Sequence, residues 1–304
     1  MALDPMNARE ILIVGATGQQ GRATIAALQH QRPHSPCIHI LALTRSMGSS
    51  KSQSLKQAYP DITLVEGDTR TPAPIFATHP DISAIFLVTV PHDEEAQAIP
   101  LIDFALTKTH NVNHIVFSSV DRGGRDASWD NPTKVPHFAT KHAIELHLRD
   151  ACTKAAKRWT ILRPTGFMDN YKPGFFGSMM ASLWAAGLPS DRKTQLISAR
   201  DIGIFAAKAL LDPDVWAGEA VSLASDELTY SQFRDIFKKA IGKDLPEANW
   251  LVARGVMWWV EEARTSFEWF DKFGYKADIE FCRQKNPGLQ NWEAWLTESS
   301  GWKS

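Results

Sequence analysis

The sequence predicts an α/β protein built on a doubly wound parallel sheet, with a smaller, mainly helical lobe toward the C-terminus. Three observations carry this. The apolar run Ile11-Leu12-Ile13-Val14 passes directly into Gly15-Ala16-Thr17-Gly18-Gln19-Gln20-Gly21 and from there into a helix-like segment over residues 22–30. Strand-like runs then recur at residues 62–65, 84–90, 114–120 and 159–162, each separated by enough chain for a crossover helix. That alternation is the rhythm of a parallel sheet. Finally, seven of the eleven tryptophans lie at or beyond Trp250, a change of character that marks a separate lobe.

The first element is the most informative. Three glycines at three-residue spacing let the backbone turn tightly and approach a pyrophosphate at a helix N-terminus, so Gly15, Thr17, Gly18, Gln19, Gln20 and Gly21 are expected to cradle a dinucleotide. The second strand, residues 37–43, ends in Thr44-Arg45, where an NAD-preferring site places Asp or Glu. An acidic residue there accepts hydrogen bonds from the ribose hydroxyls, whereas a guanidinium pairs bidentately with a 2′-phosphate. The expected cofactor is therefore NADP(H), with Lys51 either a second positive charge or a solvated loop lysine.

Later elements follow the same plan. Residues 94–109 and 137–152 carry apolar positions at helical spacing and read as crossovers, which right-handedness turns into a Rossmann sheet. The fifth strand ends in Ser118-Ser119. After a glycine-rich loop, residues 121–136, comes His137-Phe138-Ala139-Thr140-Lys141. A spacing of four puts His137 and Lys141 on one helix face. Ser198-Ala199-Arg200-Asp201 has the form of a helix start ahead of residues 202–211, and residues 220–223 offer another strand. The expected nucleotide domain is 8–164 with returning segments near 194–225. The smaller substrate or interaction lobe takes 165–193 and 226–304.

Composition sets bounds. A chain of 304 residues with 44% hydrophobic content buries a substantial core, and a formal charge of -1 supplies no basic field for nucleic acid. No run approaches the roughly 18 apolar residues of a membrane span, and no signal-peptide plan opens the chain. A cytosolic protein is expected, or a nuclear one if it is a regulator. Cys37, Cys152 and Cys282 are too few and too far apart for a disulfide framework or a metal site. Asp126, Asp130 and His142 sit in or near the variable loop without metal-site spacing, and no metal is expected. Met1-Ala2-Leu3-Asp4-Pro5 stands ahead of the fold, which is read from about Ala8 onward.

The glycine turn, Thr44-Arg45, Glu66-Gly67-Asp68 and His-Phe-x-x-Lys together resemble the NmrA-like family of atypical short-chain dehydrogenase/reductases. Leu162-Arg163-Pro164-x-x-Phe167-Met168-x-Asn170 and Ala199-Arg200-Asp201-Ile202-Gly203 are similar to it as well, so the resemblance covers nearly the whole chain. It implies NADP(H) binding, with Asp68 near the adenine, and Thr89, Val90 and Pro91 near the cofactor. It also implies that Phe167 meets the nicotinamide ring. Short-chain reductases usually carry Tyr-x-x-x-Lys, and this chain has His137 where the tyrosine stands.

Two functions are compatible with that resemblance. One is a reductase in which Lys141 and His137 handle the proton, Ser118 or Ser119 orients a carbonyl, and the aromatic lobe receives a hydrophobic small molecule. The other is a non-catalytic NADP(H) sensor that acts through a protein partner. Phe175, Phe176, Met179, Met180 and Trp184 would wall a pocket in the first reading or form lobe core, as would most of the tryptophans.

Overall fold

A computed structural model of the protein describes residues 9–31 and 38–303. Cys37 and the opening residues 1–5 lie outside the described residues. The chain begins with β1 (Arg9–Ile13), α1 (Gln19–Gln31), β2 (Ile38–Thr44), α2 (Ser50–Ala58), β3 (Thr63–Glu66) and α3 (Ala73–Thr78). There follow β4 (Ile82–Val88), α4 (Glu94–Thr107), β5 (His114–Ser118), a short α5 (Ala127–Asp130) and the long α6 (Pro136–Lys154). Next come β6 (Arg158–Pro164), β7 (Gly166–Phe167), α7 (Phe175–Gly187), β8 (Lys193–Ile197), α8 (Ala199–Leu211) and α9 (Pro213–Trp216). The last strands are β9 (Glu219–Leu223) and β10 (Asp226–Thr229). The chain closes through α10 (Tyr230–Ile241), α11 (Trp250–Trp259), α12 (Glu261–Lys272), α13 (Ile279–Lys285) and α14 (Trp292–Glu298).

The larger sheet has seven strands in the order β3-β2-β1-β4-β5-β6-β9. Pairings from β3 through β6 are parallel, with Ile11 opposite both Ile40 and Ala84. The central strands are buried along most of their length, as at Ile11, Leu12, Ile13, Phe86, Leu87 and Val116. Continuous apolar runs of this kind suit a parallel sheet covered on both faces. The chain winds outward from β1 to β3 and restarts at β4 on the other side of β1. That reversal is the switch point where open α/β sheets leave a crevice at the carboxyl ends of the strands.

Two elements differ from the sequence expectation. The strand expected to run to Val90 stops at Val88, because His92 and Asp93 turn into left-handed conformations (φ 78° and 51°) around Pro91, and a strand ladder does not continue through such residues. The C-terminal region is helical over most of its regular structure and also carries strands that were not expected. Its β7, β8 and β10 form a second sheet, with β8 antiparallel to β10 and parallel to β7. Gln195, Leu196 and Ile197 are all buried, so that segment has no alternating pattern to announce a strand.

Two compact units divide the chain. The first takes the residues through Ser119, then Thr140–Leu162 and Ile202–Ala220. It holds the carboxyl ends of β1 to β5 and the α1–α8 contact, where Gly203 meets the backbone of Ala23 so closely that a Cβ would overlap it. The second unit takes Val120–Ala139, Arg163–Asp201 and the chain from Val221 on. Its largest core gathers Tyr171, Trp184, Phe233, Phe237, Trp292 and Trp295. Phe233 stacks on Trp292 at 4.0 Å between centroids, and Trp292 on Trp295 at 5.0 Å.

Candidate functional site

The glycine turn lies between β1 and α1. Gly15 has φ 69°, and a Cβ there would strike Val88. Gly21 packs so close to the Gly15 carbonyl and Ala16 that any side chain would overlap backbone. Gly18 donates its N–H to the Gly15 carbonyl at 2.9 Å and accepts from Arg22 at 3.0 Å, which starts the helix. The first N–H groups of α1 have no acceptor within the helix, and its macrodipole is positive at that end. A turn that a Cβ would fill, facing free donors, suits a phosphate pair. Thr17 and Gln20 are half-buried, while Gly18 and Gln19 are exposed.

At the carboxyl end of β2, the Thr44 hydroxyl donates to the Ser46 carbonyl at 3.1 Å and bonds the Ser52 hydroxyl at 2.8 Å. Ser52 in turn donates to the same carbonyl. Thr44 therefore shapes the loop from within. Arg45 is exposed, and neither it nor Lys51 on α2 has a partner among the described residues. Glu66, at the end of β3, reaches this loop and accepts the Met47 N–H at 2.8 Å. Its position is invisible in sequence because it arrives from the neighbouring strand. Asp68 accepts the Arg70 N–H at 2.9 Å and fixes the turn after β3.

Beyond β4 and β5 the unit buries a charged cluster. Lys141 on α6 donates from Nζ to Thr89 Oγ1 at 3.0 Å and to the Ser118 carbonyl at 3.2 Å. It also forms a 3.0 Å ion pair with Glu94, and the two side chains are 6% and 2% exposed. Thr89 donates its hydroxyl to Glu94. The Lys141 ammonium lies 5.2 Å from the Phe117 ring centroid. Ser118 sends its hydroxyl to the Gln20 side-chain carbonyl at 2.5 Å, joining β5 to the glycine turn. Val90 is exposed, and its backbone is clamped on both sides by the Gln97 amide. Pro91 is exposed too.

Glu94 is the residue that sequence reasoning missed. A signal was available, because the buried positions of α4 run 94, 98, 101, 102, 105, and Glu94 heads that apolar stripe. Residue type alone does not separate it from Glu95 beside it.

The second unit holds the other expected residues. His137 is half-buried in the first turn of α6, and Phe167 is half-buried in β7. Asp121, fully buried, accepts from the N–H groups of Gly123, Gly124 and Lys276 and from the Ser222 hydroxyl. Those bonds anchor the loop after β5. Arg122, also buried, donates to the carbonyls of Val120, Ser128 and Asn131 and fixes the same loop from inside.

The apolar wall expected along α7 is not continuous. Trp184 is core, while Phe175 and Phe176 are exposed. The tryptophans divide likewise: Trp269, Trp292 and Trp295 are buried, and Trp250, Trp258 and Trp259 are exposed. A cleft of about 430 Å³ in this unit is lined largely by charged groups, among them Arg192, Lys193, Glu227 and Lys276, beside Tyr275. Burial pushes the Tyr275 phenol above its usual range, and the Asp121 charge adds to the shift. Cys152 and Cys282 are buried thiols pushed up by burial to about 12 and about 11. Among the described residues no His, Cys, Asp and Glu group is arranged to hold a metal, and no helix is long and apolar enough to cross a membrane.

A model of the NmrA-like family matches residues 7–296. No curated protein matches the chain. Among solved structures, it is similar to NmrA, a negative transcriptional regulator, in complex with NADP, at 20% identity and TM-score 0.69, covering 97% of this chain and 96% of that one. An NADPH-dependent quinone oxidoreductase from Escherichia coli, complexed with NADPH, is 21% identical with TM-score 0.69, covering 93% and 97%. The Citrobacter sp. triphenylmethane reductase complexed with NADP(H) is 17% identical with TM-score 0.70, covering 94% and 98%.

Proposed function

The chain belongs to the NmrA-like family, and from that premise we propose that it is an NADP(H)-dependent oxidoreductase acting on a carbonyl, imine or conjugated alkene of a hydrophobic small molecule. One observation carries the reading. The glycine turn after β1, the exposed Arg45 after β2 and the buried Lys141 cluster after β4 and β5 occur in one compact unit, at the carboxyl ends of adjacent parallel strands. Quinone and triphenylmethane reductases among the similar structures support it.

In this reading Gly15, Thr17, Gly18, Gln19, Gln20 and Gly21 hold the pyrophosphate against the N-terminus of α1. Arg45, assisted by Lys51 and framed by Thr44, binds the 2′-phosphate, and Asp68 borders the adenine. Thr89, Val90, Pro91, Ser118 and Lys141 complete the part of the cofactor site that this unit holds. The cofactor, when bound, supplies hydride from the nicotinamide. Lys141 and His137 manage the proton that balances it, Lys141 with its charge and His137 through its imidazole ring.

A second reading has its own support. Trp258 and Trp259 are 80% and 86% exposed, and Phe175 and Phe176 are exposed as well. An apolar surface of that kind suits a protein partner, as a non-catalytic NADP(H) sensor requires, and a regulator is among the similar structures. One experiment separates the two. NADPH binding is measured by fluorescence, and NADPH oxidation is then followed against ketones, imines, enones and quinones. Oxidation with any of these supports the reductase. Tight NADPH binding without oxidation of the panel supports the sensor, and absence of NADPH binding overturns both.

A further inference from the structure

Lys141 is a buried cation, and burial by itself drives a lysine toward its neutral form. An ammonium has three donors, and here all three have acceptors: Thr89 Oγ1, the Ser118 carbonyl and the Glu94 carboxylate. Of these only Glu94 carries a charge. Its own position is unusual. Two successive non-glycine residues, His92 and Asp93, adopt left-handed conformations immediately before it, and such residues persist only where the surroundings enforce them. The Gln97 amide holds the turn from outside by bonding the carbonyls of Val90 and His92. The turn delivers Glu94 inward while Glu95, the next residue, is exposed.

We propose that Glu94 is the positioning residue for Lys141: its buried carboxylate keeps Lys141 a fixed ammonium, and Thr89, bonded to both, sets the distance between them. The proposal rests on the reading of Lys141 as part of the cofactor site and adds the group that decides its charge. Lys141 then enters any reaction as a positive charge, not as a neutral base. The ionisable neighbours on its own helix are His137 one turn before, His142 beside it, and the buried Glu145 one turn after. From β5 it faces the Ser118 carbonyl and the Phe117 ring, and from α4 it faces Glu94.

The test titrates Lys141 in the full protein without cofactor, by NMR of lysine labelled at Cε, with the signal assigned from its loss in Lys141→Arg. In the wild type Lys141 is expected to titrate at or above the ordinary lysine midpoint of about 10.4 despite its burial. In Glu94→Gln the midpoint falls by at least about two units, a roughly 70-fold rise in the neutral fraction at pH 8. NADPH affinity, measured in parallel, stays flat from pH 6.5 to 9 in the wild type and drops at least about fivefold over that range in Glu94→Gln. It becomes flat again in Glu94→Gln combined with Lys141→Arg, because a guanidinium does not deprotonate there. An unchanged Lys141 midpoint in Glu94→Gln overturns the proposal. So does a wild-type midpoint well below the ordinary value, and that measurement decides alone if Glu94→Gln does not fold. Failure of the wild type to bind NADPH or NADP+ counts against the cofactor reading only, since the titration needs no cofactor.

Discussion

Arg45 ends β2 with its guanidinium exposed and no partner among the described residues, so its loss disturbs little besides what it binds. Arg45→Ala is expected to weaken NADPH binding by about 10- to 100-fold, the worth of a charge-assisted contact, and to leave NADH affinity nearly unchanged. Equal losses for the two cofactors, measured by fluorescence titration, would remove the 2′-phosphate assignment. Lys141 is the opposite case, because its removal strands a buried carboxylate. Lys141→Ala is expected to abolish turnover and to destabilise the protein by about 3–5 kcal/mol in urea unfolding. Adding Glu94→Gln to it should return much of that stability, since the Glu94 side chain is then no longer charged. Equal stability of the single and double variants would mean that the two groups do not depend on one another.

At the scale of elements, the strand, glycine turn and helix were legible because the glycines follow an apolar run at a fixed three-residue spacing, and each has a steric cause. Gly21 meets the Gly15 carbonyl and Gly203 meets the Ala23 backbone, so neither position admits a Cβ without moving α1. Gly21→Ala is expected to cost about 1–3 kcal/mol by overpacking and to weaken NADPH binding more than Gly203→Ala does, because only the former displaces the turn itself. The pair is compared by thermal unfolding and cofactor titration, and similar binding in both variants would separate the turn from the cofactor. Helix α8 begins as the Ser-x-x-Asp pattern predicts, with Asp201 N–H donating to Ser198 Oγ at 3.0 Å. The second sheet was not legible. Strand β8 is buried through Gln195, Leu196 and Ile197, and the Gln195 amide is bonded by Ala277, 82 residues away. Sequence periodicity carries no trace of a partner that distant.

For the whole molecule, acid stability is set in part by His114, which is fully buried in β5. Burial, aided by the charges of Arg9 and Arg158, lowers its pKa to about 4. The unfolded chain takes up a proton near the ordinary histidine value while the native state remains neutral, so stability falls as pH drops through that value and levels off below the native one. Between pH 7.5 and 5 this amounts to about 2 kcal/mol from one group. Urea unfolding across that range is expected to show the slope, and His114→Gln, which cannot titrate, is expected to flatten it. A slope of the same size in the variant would assign it to other groups.

The sequence by itself determined the family, the parallel sheet and the glycine turn, because these rest on local requirements: apolar runs of strand length, and backbone approaches that exclude a Cβ. It also brought Lys141 forward as a candidate, through helical spacing and motif. Only the tertiary structure decided what surrounds that lysine. Glu94 and Thr89 reach it from another strand and helix, some 50 positions earlier in the chain. Likewise only packing sorted the tryptophans, burying Trp292 and Trp295 while leaving Trp258 and Trp259 exposed. A residue's type fixes the charge or ring it brings, but its burial and its partners arise from contacts between distant segments, and no local pattern encodes those.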